Sequence, residues 1–489
     1  MNNTEQRQAV LDLNPDEFRK LGHQLIDQVA DFLGSLPNRP LTTGETPSEI
    51  RNLLGQNSLP DKGADASQLL TEVATMLFDH SLFNGHPRFW GYITSSAAPI
   101  GILAELLAAA INPNVGAWSL SPVASEIEHQ SIRWIAEFVG YPADCGGILV
   151  TGGNMANFIG FLTARHAKTK QKSIDNLRSL CLYASDETHT WIHKAIDMFG
   201  LGKESVRWIK TDSEQKIDLT ILQQQIEKDI KDGLDPFMVI GTAGSVSTGV
   251  VDPLPQLSRI CKEYNLWFHV DGAYGAFAAA LPDASTDLKG LKYADSVALD
   301  PHKWLYAPLE AGCALVRDVS NLRDTFSYHP PYYKFDEVRG ETAISFVDHG
   351  PQNSRGFRAL KVWLALCHAG RTGYTKMISD DIKLALKLFE LVKKIPDLEA
   401  FTHNLSITTF RYAPETPDKN EEERESYLNE LNTALLTRLQ EGGQAFVSNA
   451  IIDGKYLLRA CIVNFRTDQK DIEALPDIIL RLGKEVFLE

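Results

Sequence analysis

What most limits this chain is an alternation: from about residue 86 to about residue 373, short β-rich runs take turns with helical stretches. The runs are Gly147-Ile148-Leu149-Val150, Leu180 to Ala184, Val206 to Ile209, Phe237 to Ile240, Leu266 to Val270, Ser296 to Leu299 and Cys313 to Val316. They are continuously apolar rather than alternating, which predicts strands covered on both faces and hence an α/β fold with a mostly parallel sheet. At 489 residues the chain exceeds one ordinary core. The texture changes on either side of the alternating region. The expected organisation is an N-terminal helical segment over 1–85, a large domain over 86–375 and a smaller C-terminal α/β domain over 376–489.

Near the N-terminus, Asn14-Pro15-Asp16-Glu17 reads as a helix start, with an N-cap, a proline at the first helical position and an acid at the capping-box position. Phe18, Leu21, Leu25, Val29 and Phe32 then fall on one apolar stripe. That stripe packs either on its own chain or on a partner subunit. After Gly373 a helix is predicted over Lys376 to Ile395, with strands over Leu405 to Phe410 and Tyr456 to Val463. The acidic stretch Glu415 to Glu425 between the strands reads as a solvated loop or helix face.

Charge and cysteine usage remove several function classes. The net charge of −15 argues against nucleic acid as the main partner, since phosphate backbones are held by clustered Lys and Arg. Cys145, Cys181, Cys261, Cys313, Cys367 and Cys461 are scattered without a CxxC pair, so reduced structural thiols are expected, with no disulfide framework and no metal site. The opening MNNTEQRQAV lacks the pattern of a signal peptide. The most apolar stretch, Ala97 to Ile111, contains Pro99 and Glu105 and is shorter than the roughly 20 residues that span a bilayer. A soluble cytoplasmic protein with no membrane partner is expected.

Four local features lie at the ends of predicted strands, where open α/β sheets place ligands. Thr151-Gly152-Gly153-Asn154 follows the strand ending at Val150; glycines and free N–H groups at a helix start suit a phosphate, although a capping turn with no ligand has the same look. His189 lies just beyond another strand, either stacked on a flat cofactor ring or as an ordinary surface or core histidine. Asp271 closes a buried strand, where a carboxylate calls for a cation such as a protonated pyridine nitrogen, or serves as a plain cap; small Ala273 lets a ring lie on the backbone. Lys303, in Asp300-Pro301-His302-Lys303-Trp304, follows a fourth strand 32 positions later. Partial burial favours a neutral amine, the form that makes an imine with an aldehyde cofactor.

Together, His269 with Asp271, the Asp-Pro-His302-Lys303-Trp run and the Gly-Gly-Asn turn closely resemble the group II pyridoxal-phosphate (PLP) dependent amino-acid decarboxylases, from the N-terminal helix to at least Trp363. That family includes the aromatic-L-amino-acid, glutamate, cysteine-sulfinate and histidine decarboxylases. The resemblance implies the aspartate-aminotransferase-like fold, fold type I, and a homodimer with its active site at the subunit interface. It implies Lys303 as the Schiff-base lysine, Asp271 as partner of the pyridine nitrogen and His189 as the stacking imidazole. Gly153 and Asn154 would be phosphate ligands, with His302 beside the phosphate. Tyr332, in His329-Pro330-Pro331-Tyr332-Tyr333-Lys334, would return a proton to the substrate carbon, with Tyr333 as second choice. Aldehyde-forming relatives have Phe at that position, so Tyr implies simple decarboxylation. Arg355, in Gln352-Asn353-Ser354-Arg355, would meet the substrate carboxylate or the phosphate, or form a dimer salt bridge.

Two residues depart from the family pattern. Asp300 stands where relatives carry Asn, and Val246 stands where many carry a second Thr. For the substrate, Tyr92, Thr94 and Trp118 resemble the pocket of the aromatic branch, whereas His86-Pro87-Arg88-Phe89 resembles the glutamate and cysteine-sulfinate branch. An aromatic L-amino acid is the expected substrate. An acidic one, or another fold-type-I reaction such as transamination or carbon–carbon lysis, is the alternative.

Overall fold

The computed structural model describes residues 9–55, 58–170, 179–328, 337–338, 340–416 and 420–488. All seven predicted strands are present: β1 (Gly146–Val150), β2 (Leu180–Ser185), β3 (Val206–Ile209), β4 (Asp235–Thr242), β5 (Trp267–Asp271), β6 (Ser296–Leu299) and β7 (Gly312–Val316). They form one sheet in the order β1-β7-β6-β5-β4-β2-β3. β7 runs antiparallel to both neighbours and the remaining pairs are parallel. Every residue of β1, β2, β6 and β7 is buried, as the unbroken apolar runs require of a sheet with helices on both faces. This is the fold-type-I α/β architecture.

The second body is a four-stranded antiparallel sheet of Leu398–Asn404, Ile407–Tyr412, Lys455–Cys461 and Ser448–Ile452, in that order, packed against helices Glu421–Glu441 and Gln469–Leu488. The acidic stretch is only partly a solvated loop. Asn420 caps the helix in a capping box with Glu423, and Glu425 pairs with the buried Arg411.

The expected domain limits meet two complications. The helix predicted from Lys376 starts at Ala359 and runs to Val392, broken in backbone geometry at Gly370 (φ 63°), so it crosses the 375/376 limit. Residues 88–90, expected in the large domain, are instead tied to the C-terminal body. Trp90 donates its backbone N–H to Phe446 and accepts from Cys461, and its ring belongs to that body's core.

The first helix forms as read, over Pro15–Ser35, with the Asn14 side chain accepting from Asp16 and Glu17. Phe32 of its stripe stacks on Phe78 at 4.4 Å, within the same chain, while Phe18 remains 59% exposed. No helix among the described residues is long and apolar enough to cross a membrane.

Candidate active site

The C-terminal ends of β1, β2, β4, β5 and β6 converge on a cavity of about 450 Å³. Lys303, His189, Asp271, Ala273, Gly153, Asn154 and His302 all line it. Seven residues spread over 151 positions of sequence thus meet at one place because each follows, or nearly follows, a strand of the same parallel sheet.

Asp271 ends β5 and is 7% exposed. One of its carboxylate oxygens accepts from the Trp191 indole N–H at 2.8 Å and the other from the Ala273 backbone N–H at 3.2 Å. Beneath it, fully buried His269 is held by Ser296 Oγ at 2.7 Å and Asn157 Oδ1 at 2.8 Å, and burial pushes its imidazole down to about 4. A neutral His269 therefore leaves Asp271 without a cation from below. Burial also lowers the His189 imidazole, against the pull of Asp271. The neutral ring so favoured is suited to lying on a flat cofactor.

Lys303 is not an isolated amine. Its Nζ lies 3.1 Å from Asp300 Oδ2, which is also 3.7 Å from His302 Nε2. The other His302 ring nitrogen, Nδ1, sits 2.7 Å from the Ala311 carbonyl, which turns Nε2 toward Asp300. The glycine turn is built for close approach. Gly152 has φ 126°, a conformation that disfavours a side chain, and a Cβ on Gly153 would come within 2.6 Å of Asp300 Oδ2.

The residues fit pyridoxal phosphate. Two buried atoms on the wall, Thr242 Oγ1 and Asp300 Oδ1, have no hydrogen-bond partner. The helix Gly153–Thr169 directs its first N–H groups at the turn, as an anion requires. Lys303 would supply the amine for the aldehyde and Asp271 the carboxylate for the pyridine nitrogen.

Four expected site residues are placed elsewhere. Arg355 is 3% exposed, its two terminal guanidinium nitrogens donate to Glu128 and to the Val115 and Leu149 carbonyls, and it does not line the cavity. Trp118 donates to Glu126 at 2.8 Å beside a separate hollow. Tyr92 is 57% exposed and leans on Phe446, and neither it nor Thr94 reaches the cavity; their neighbour Ile93 does. Tyr332 and Tyr333 lie outside the described residues.

Sequence reasoning missed Thr242, Trp191 and Arg459. Thr242 was legible from the strand-end rule, being the last residue of β4. Trp191 is two positions beyond His189. Arg459 had no local signal. It comes from the C-terminal sheet, is 2% exposed, and donates to the carbonyl of Val246, a cavity residue, and to Ser448 Oγ; no carboxylate among the described residues pairs with it.

Known proteins share this arrangement from end to end. An aromatic-L-amino-acid decarboxylase of Bacillus atrophaeus is 33% identical over 98% of both chains. A phenylacetaldehyde synthase of a Rosa hybrid cultivar is 29% identical over 94% of this chain and 92% of its own. The crystal structure of Oryza sativa TDC with PLP and tryptamine superposes with a TM-score of 0.90 at 25% identity, covering 98% of this chain and 99% of that one. The family model for the pyridoxal-dependent decarboxylase conserved domain matches residues 47–413. Since that match takes in every strand of the large sheet and the cavity at their ends, the chain belongs to the pyridoxal-dependent decarboxylase family and is a PLP-dependent amino-acid decarboxylase.

Proposed function

We propose that the protein converts an aromatic L-amino acid to the corresponding amine and CO2, as a cytoplasmic homodimer. The observation that carries the substrate class is the cavity wall. Ile93, Phe158, Val246 and Leu309 supply apolar surface, and among the described residues Lys303 is the sole Lys or Arg on it. An acidic side chain would need a second cation. Arg88 is turned to Asp471 at 3.2 Å and Arg355 to Glu128, which leaves neither for that task. Arg459 lies behind Val246 and does not line the cavity, its guanidinium held by the Val246 carbonyl and Ser448 Oγ.

PLP, when bound, supplies the electron sink that accepts the pair released as CO2 leaves. Lys303 would hold the cofactor through its amine. Asp271, fixed by Trp191 and Ala273, would hold the pyridine nitrogen. His189 covers the ring and keeps water away from it. Gly153, Asn154 and His302 hold the phosphate end. Tyr332 delivers a proton to the carbon that CO2 has left; in aerated solution Tyr332→Phe is expected to replace amine by aldehyde, with O2 as the oxidant and ammonia and hydrogen peroxide as co-products, a switch that unchanged amine yield would refute.

The dimer is supported by apolar side chains on one helix, Pro99–Ile111, where Leu103, Leu106, Leu107 and Ile111 are each about half exposed or more. Six unpaired cysteines accord with a reducing compartment. The deciding experiment incubates the enzyme and PLP with a panel of L-amino acids and measures CO2 and amine. Turnover of Tyr, Phe, Trp or dopa but not Glu or Asp is the expected result; the reverse pattern overturns the substrate assignment.

A further inference from the structure

We propose that Asp381 is a positioning residue: by anchoring Trp304 against Tyr274 it sets the placement of Lys303 relative to Asp271, the two side chains that meet opposite ends of the cofactor ring. The inference rests on the reading of Lys303 and Asp271 as cofactor residues.

The aldehyde and the nitrogen of PLP stand across one rigid ring, so the amine and the carboxylate that receive them must keep a fixed spacing. The sheet secures only part of that spacing. β5 and β6 are paired up to Asp271 and Ala298, and the last backbone bond between their turns runs from the Asp300 N–H to the Ala273 carbonyl. Lys303 lies three residues further on, where its place depends on how the turn is packed.

Two buried rings supply that packing. Trp304, next to Lys303, stacks on Tyr274 with ring centroids 4.7 Å apart, and Tyr274 lines the cavity three residues beyond Asp271. The polar end of each ring is tied outside the large sheet. The Tyr274 hydroxyl lies 2.6 Å from Ser406 Oγ and accepts from the Ser406 backbone N–H at 3.0 Å, in the turn between strands Leu398–Asn404 and Ile407–Tyr412. The Trp304 indole N–H donates at 2.9 Å to Oδ2 of Asp381, in the helix Ala359–Val392, and the Tyr306 hydroxyl donates to the same oxygen at 2.6 Å. Tyr374, two turns earlier on that helix, donates its hydroxyl to the Leu305 carbonyl at 2.9 Å. One helix face thus grips residues 304, 305 and 306, and the stacked pair is clamped between Asp381 and Ser406. Burial pushes the Asp381 carboxyl up to about 7, so near neutral pH its charge is only partly present and the accepted bonds are what it supplies.

The test is titration of the stripped enzyme with PLP, together with the visible absorption band of the bound cofactor and steady-state CO2 release, for wild type, Asp381→Leu and Asp381→Asn. Asp381→Leu strands both ring donors. It is expected to bind PLP about tenfold more weakly, as a site in register about a tenth of the time would, and to displace the visible band. Its kcat should fall by about tenfold or more with KM within about twofold of wild type. Asp381→Asn, whose amide oxygen still accepts from both rings, should restore affinity and band to near the wild-type values. A role in stability alone would lower the melting temperature of Asp381→Leu and leave affinity and band unmoved. That result, or Asp381→Asn as impaired as Asp381→Leu, overturns the proposal. Borohydride reduction that fails to label Lys303 in wild type would instead overturn the cofactor reading. Should Asp381→Leu fail to fold, Tyr274→Phe decides: it frees the opposite anchor and must move affinity and band in the same direction, and unchanged values refute the clamp.

Discussion

Two buried carboxylate–cation pairs lie on opposite sides of the β1 turn, and they do different work. Behind β1, Arg355 and Glu128 are sealed from solvent, with the guanidinium also held by two backbone carbonyls. In front of it, Asp300 and Lys303 open on the cavity. Each pair leaves an unpaired oxygen, Glu128 Oε2 in one and Asp300 Oδ1 in the other. An orphaned polar atom therefore does not identify a site by itself. Access does: one pair can only hold the fold together, and the other can exchange partners.

That contrast can be broken most decisively at Lys303. Lys303→Ala is expected to cut turnover by about 10⁴-fold or more while leaving the melting temperature within a few degrees. Retained turnover would remove the functional half of the contrast. Arg355→Ala should do the opposite, destabilising the protein by about 3–5 kcal/mol in urea unfolding because it strands Glu128 in the core. A stable Arg355→Ala protein with poor substrate affinity would instead restore Arg355 to the site.

His189→Ala sharpens the comparison, with a turnover loss of about 10²-fold and little change in stability. A further test concerns pH. His269 and His349 are both pushed down to about 4 by burial, so each stays neutral when folded but protonates near 6.5 when unfolded. Their folded pKa values are depressed, and stability should therefore fall as pH drops from about 6.5 toward 4. A urea midpoint that is flat across that window would contradict the assignment.

The sheet was legible because strands buried on both faces leave continuous apolar runs, and all seven appear where those runs are. The cofactor residues were legible for a related reason: each stands at or close to the end of a run. Arg355 was misread because a motif fixes position in sequence but not the direction of a guanidinium, and Glu128, 227 positions away, supplied the stronger partner. Arg459 escaped notice for the converse reason, since only the packing of the two bodies brings it behind Val246. The change of texture in the sequence falls after Gly373, whereas the helix runs through that point from Ala359 to Val392 with its break in backbone geometry at Gly370 (φ 63°).

The link between residues 88–90 and the C-terminal body also bears on the order of assembly. Trp90 bonds to Phe446, Cys461 and Thr467, up to 377 positions distant, and Ile93 on the cavity wall follows three residues later. Contacts closing so long a loop form late. On the ribosome the large sheet can therefore be complete, with Lys303 and Asp271 already in register, while one wall of the cavity still awaits a strand near the end of the chain. Cofactor capture is then a report that synthesis has reached Cys461, and truncation in the last thirty or so residues should yield a chain that builds its sheet but holds PLP poorly.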